Sequence, residues 1–104
     1  MYRGTTPTFV FELDTTTLNL NSMVQIWVTI QDGNKVKHTW DISKVTIDND
    51  NKTISLYLSQ EETFAMAAGV GHVQIRMLTD EDVALTTTVE IVNLNNVIKG
   101  GIIQ

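Results

Sequence analysis

The 104-residue sequence has no cysteine, one proline, two histidines and few basic side chains. Without cysteine neither a disulfide framework nor a thiolate metal site can form, so the fold must hold without such staples. Its apolar runs fall far short of the ~20 residues that cross a bilayer as a helix, and no membrane partner is expected. The start lacks the basic region and apolar run of a signal peptide, which points to residence in the cytoplasm of the producing cell. Seven Lys and Arg stand against twelve Asp and Glu, for a net charge of −5. Lys35, Lys37, Lys44, Lys52 and Lys99 are separated by neutral and acidic residues. No basic stripe is available for a phosphate backbone, and a nucleic-acid partner is not expected.

What the chain does have is alternation. Apolar residues make up 42%, enough for one packed domain spanning 1–104. Phe9, Phe11 and Leu13 alternate with Thr8, Val10 and Glu12, and Val24, Ile26, Val28 and Ile30 alternate with Gln25, Trp27, Thr29 and Gln31. A period of two buries one face of a strand and wets the other. "DGN" at 32–34 is a hairpin turn signal, so 35–40 reads as the returning arm with Val36 and Trp40 inward. Residues 41–47 continue as a short strand. "DNDNK" at 48–52 is a second turn, and 53–58 follows with Ile54, Leu56 and Leu58 inward. Val73, Ile75 and Met77 resume the pattern. "TDED" at 79–82 turns into 83–92, with Val83, Leu85, Val89 and Ile91 inward and Thr87 as the weak position. One stretch breaks the period. "SQEETFAMAAG" carries Ser59 and Glu62 as a capping box and Gly69 as a terminator, which predicts a helix over about 60–68.

These elements predict an all-β fold: an antiparallel, immunoglobulin-like β-sandwich of about seven strands with one short helix, a small barrel being the alternative. The predicted core is Phe9, Phe11, Val24, Ile26, Val28, Ile54, Leu56, Val73, Ile75 and Ile91. Residues 1–7 form an extended lead into an edge strand, Pro7 guarding its start, and 93–104 form a tail.

Catalytic chemistry finds little purchase. His38 and His72 lie in or beside strands, with no motif joining them to an acid and a nucleophile. "DNDNK" offers oxygen ligands, but Lys52 and Thr53 stand at loop positions five and six and Ser59 at twelve, where a calcium loop wants an oxygen donor, glycine and glutamate. "GVG" at 69–71 follows a helix and precedes a strand, the reverse of the order that aims amides at phosphate. No catalytic residue, cofactor or metal site is assigned, and the chain is not expected to be an enzyme.

Two surfaces stand out. Trp27 falls on the polar side of its strand, as do Tyr57, Arg76 and Leu78 on theirs. If these strands are neighbours they compose an outer patch of the side-chain types that dominate interfaces. Val97, Ile98, Ile102 and Ile103 then crowd the tail around Lys99, Gly100 and Gly101, where they either cover the domain's own sheet or reach a partner.

"RGTTPTFVFEL", "LSQEETFAM", "VQIRMLTDEDVAL" and "NVIKGGI", taken in order, resemble a family of small proteins encoded by tailed phages and prophages of Gram-positive and gut bacteria. The resemblance implies a gene near those for virion structural proteins and carries over no active site. On this reading the protein is a non-enzymatic structural or adaptor component of tail, neck or baseplate. Its partners are then other phage structural proteins or itself, and the virion is a second location. A carbohydrate-binding module, with Trp27, Trp40 and Tyr57 stacking on sugar, is the rival. Three aromatics on one face would favour that rival; aromatics split between faces would favour protein contacts.

Overall fold

Alternating sequences become strands, and the computed structural model, which describes residues 1–13, 19–87 and 90–95, has eight of them. They are β1 Thr8–Glu12, β2 Met23–Gln31, β3 Lys37–Trp40, β4 Val45–Asp48, β5 Thr53–Tyr57, β6 Gly69–Thr79, β7 Ala84–Thr86 and β8 Glu90–Leu94, with one helix, α1 Gln60–Phe64, before β6. A three-stranded sheet runs β1-β5-β4. A larger sheet runs β3-β2-β6, with β7 and β8 both pairing β6. All these pairings are antiparallel. The order matches strands B-E-D facing C′-C-F-G of an immunoglobulin-like sandwich, and among the described residues nothing corresponds to strand A.

The inner faces meet in one core. Ile26, Val28 and Ile30 of β2 and Ile54 and Leu56 of β5 are fully buried, and Val73, Ile75 and Met77 of β6 nearly so. Leu20, from a 3₁₀ turn, and Leu58 and Met66, flanking the helix, are also fully buried and belong to the same cluster. Phe9 and Phe11 point inward but stay half-buried, since β1 lies at a sheet edge among the described residues.

Two predicted core residues face solvent instead. The β2–β6 register shifts between Met23 and Gln25, so one extra residue reverses the alternation there. Met23 is buried and Val24 is 52% exposed. The predicted strand 83–92 divides in the same way. Arg76 pairs Thr86 whereas His72 pairs Ile91, a register difference of one residue. Val92 and Leu94 therefore turn inward while Ile91 is 71% exposed. Thr87 lies where the pairing changes, and its Oγ1 accepts the Ile75 amide at 3.0 Å. Val83 belongs to the turn and is exposed, Leu85 packs on the core, and Val89 lies outside the described residues. This division makes eight strands rather than seven. Leu94, assigned to a tail, is the buried end of β8.

The helix ends early. Ser59 and Glu62 form the capping box, but after Phe64 the chain turns so that Met66 enters the core and the Ala67 amide donates to Asp32 at 3.0 Å. Residues 41–47 also divide: Asp41 caps a 3₁₀ turn at Ile42–Lys44, and β4 begins at Val45.

Residues 1–7 are not a simple extended lead. Tyr2 bridges Asn95 in parallel, the Arg3 amide donates to Asn95 O at 2.8 Å, and the Met1 amino group donates to Asn93 O at 2.9 Å. Gly4 then turns at φ 78°, against the Phe64 ring, and Pro7 O accepts the Leu58 amide beside β1. The segment thus joins the two sheets, which explains a glycine and a proline so close together.

Candidate interaction surface

The outer face of the larger sheet is built by the polar half of each alternation. Trp27 and Arg76 are paired across β2 and β6, with Gln25 and Leu78 paired one step along and Thr86 of β7 beside Arg76. Trp27 is 42% exposed. A shallow hollow of about 220 Å³ lies between Trp27, Leu78, Arg76 and Ala84. Farther up the face a second hollow, of about 270 Å³, is lined by Thr29, Gln31, Lys37, Thr39, His72 and Arg76. Arg76 borders both hollows. Thr29 and Thr39 meet through their hydroxyls at 3.1 Å across β2 and β3, which fixes the floor of the larger one.

The predicted patch is therefore partly assembled. Trp27, Arg76 and Leu78 share one face. Tyr57 does not join them, because β5 pairs with β1 and β4 in the other sheet, where Tyr57 opposes Thr8 and is 53% exposed. Val97, Ile98, Ile102 and Ile103 lie outside the described residues. Sequence reasoning overlooked Lys37, Thr39, His72 and Gln31 as neighbours. The hairpin register, Gln31 opposite Lys37 and opposite His72, is what collects them.

A second polar cluster sits at the β2–β3 end. The hairpin turn signalled by "DGN" at 32–34 is longer than expected: the connection spans 32–36, the returning arm begins at Lys37 rather than Lys35, and a positive φ falls on Lys35 at 67°. Gly33 serves a close approach: its amide donates to Ala67 O at 3.0 Å, and a Cβ there would strike the Ala68 carbonyl. Asp32 is buried. Its Oδ1 accepts the Asn34 and Val36 amides at 2.9 and 3.1 Å, and its Oδ2 takes the Ala67 amide and lies 2.9 Å from His38 Nε2. Burial pushes its carboxyl up, but His38 and the three amides outweigh this and hold it at about 2. Val36, expected inward, is 53% exposed in this loop. Trp40 is half-buried against the core, stacked on His38, and its Nε1 donates to Glu62 Oε2 at 2.8 Å. Glu62 Oε1 accepts Lys44 Nζ at 2.8 Å and the Ser59 amide at 2.9 Å. Burial raises the Glu62 carboxyl, yet these donors keep it below the ordinary value. Asp32 and Glu62 therefore act as clamps that tie β3, the 3₁₀ turn and α1 together. The Asp32–His38 pairing went unforeseen because the contact depends on how the 32–36 loop docks.

The two acidic turns differ. In 48–52 the Asp48 carboxylate is occupied by Asn51 Nδ2 and by the Asp50 and Asn51 amides, while Asn49 Oδ1 accepts the Leu20 amide. The side-chain bond from Asn51 leads in holding Asp48 below its ordinary pKa. Among the described residues no three His, Cys, Asp or Glu side chains converge as a metal site. No described helix is long and apolar enough to cross a membrane. The chain matches no protein-family model, no curated protein and no solved structure.

Proposed function

We propose that the protein is a non-enzymatic structural or adaptor component of a phage or prophage particle that works through protein–protein contacts on the outer face of its larger sheet. The observation that carries this reading is the row of exposed Trp27 and Arg76 and half-buried Leu78 on that face. Trp and Arg are the side chains most often found as interface anchors, and this pair is held by two long strands rather than by a loop. The resemblance of four segments to small phage proteins supplies the setting. The carbohydrate-binding alternative gains less support, because its three aromatics occupy three places: Trp27 on one outer face, Tyr57 on the other, and Trp40 half-buried with its indole N–H engaged.

Particles purified from the encoding phage or an induced prophage provide the test. Mass spectrometry should find the chain in amounts comparable to other structural proteins, and a Trp27→Ala allele should reduce its incorporation while leaving its melting temperature nearly unchanged. A chain missing from particles that assemble normally without it would overturn the reading.

A further inference from the structure

Several charged side chains among the described residues are engaged within the fold. Asp32 and Glu62 are clamps, Asp41 is bonded to Ser43, Asp48 to its own turn, Lys44 to Glu62, and Lys52 to Asn49. Arg3 bonds the Phe64 carbonyl and lies over the Phe64 ring. The remaining cations are Lys35, Lys37 and Arg76, none of whose side chains makes a hydrogen bond or ion pair with a described residue. Lys37 and Arg76 line the larger hollow, and Lys35 stands in the adjoining 32–36 loop. Among the described residues no acid lines either hollow of this face. Among the described acids whose side chains make no hydrogen bond or ion pair with a described residue, Glu12, Asp50 and Glu61 are scattered, whereas three others gather at one place. Asp80, Glu81 and Asp82 are consecutive, exposed and free of side-chain partners, at the tip beyond β6.

Along the larger sheet the cations and the 80–82 acids are thus set apart. At about 3.3 Å per residue of β6, the row of Lys37 stands roughly 26 Å and Arg76 roughly 13 Å from Asp80. Both separations exceed the Debye length of about 8 Å at physiological ionic strength, so within one molecule the two groups are largely screened from each other. Resting on the reading above, we infer that the occupant of the Lys37–Arg76 hollow is a second copy of this chain, which inserts its acidic 80–82 turn. A face that receives a different patch of its neighbour makes a heterologous contact, and such contacts propagate into rings or filaments. Trp27 and Leu78, adjacent to the hollow, supply apolar surface that the incoming turn covers through its own exposed Val83. Each contact is small, and repetition along the assembly provides the avidity.

Analytical ultracentrifugation of the purified chain tests this through charge reversal. At about 10 mM ionic strength, where exposed charges act on one another out to about 30 Å, the wild type should gain mass with concentration and dissociate in about 1 M salt. Lys37→Glu with Arg76→Glu should weaken association at least about tenfold, as should Asp80→Lys with Glu81→Lys. An equimolar mixture of these two variants should associate again, since every contact in it joins opposite charges. A single chain carrying all four substitutions should do the same, and melts of each variant confirm folding. A wild type that stays monomeric at low salt, or a mixture of folded variants that fails to recover, overturns the inference. If the chain is nevertheless incorporated into particles, the proposed function stands while self-association falls.

Discussion

A carboxylate taken out of water needs donors for its lone pairs, and Asp32 has three backbone amides and an imidazole. The folded chain holds this carboxyl at about 2 against an ordinary 3.8, so ionisation favours folding. The linked contribution, about 2 kcal/mol, is complete above about pH 4 and is lost as the pH falls through 4 toward 2. Urea unfolding of the wild type and Asp32→Asn should show a wide stability gap at pH 7 that narrows by that amount near pH 2. A gap that does not change with pH would show that Asp32 acts through packing alone. Gly4 poses the other residue-scale question. Its φ of 78° and the Phe64 ring against its missing side chain leave alanine both strained and obstructed. Gly4→Ala should cost about 1–3 kcal/mol in denaturant midpoint, by loosening the crossover between the sheets.

Strands derive their stability here from which side of the chain the pairing turns inward. Ile26 and Leu56 are fully buried, and truncating either to alanine should cost about 2–5 kcal/mol. Val24 and Ile91 have similar chemistry but lie beyond register changes that face them outward. Val24→Ala and Ile91→Ala should fall within about 0.5 kcal/mol of the wild type. Chemical denaturation of the four variants checks both halves, and a loss at Ile91 as large as that at Ile26 would contradict the β6–β8 register. The helix was legible from Ser59 and Glu62 because a capping box is a local device. Its length was not, because the amide that would have continued it is captured by Asp32 from the far hairpin.

At the scale of the whole molecule the described acidic residues divide into those that complete turns and clamps and those that make no side-chain bond to a described residue. In the 48–52 turn Asp48 is of the first kind, its carboxylate taken by the Asp50 and Asn51 amides and the Asn51 side chain, while Asn49 Oδ1 accepts the Leu20 amide. Thermal melts in excess calcium and in chelator should therefore coincide; a separation of several degrees would show that a ligand stabilises the folded state and would restore the turn as a metal site. The 80–82 turn is of the second kind, and only the sheet's length and its opposite cationic end give it significance.

By itself the sequence determined the class of fold, the inward residues of β5 and of most of β2 and β6, the places of the turns near 32–34, 48–52 and 79–82, and the cap of the helix. Each depends on residues within a few positions of one another, where alternation and turn chemistry operate. Tertiary structure decided the rest. A single inserted residue reverses a strand's faces without altering its composition, so the fates of Val24 and Ile91 were set by pairing with β6. Tyr57 parted from Trp27 because β5 chose β1 and β4 as partners. His38 found Asp32 because the 32–36 loop docks against Ala67. These contacts are long-range, and their energy depends on which strands are brought side by side, which local alternation leaves open.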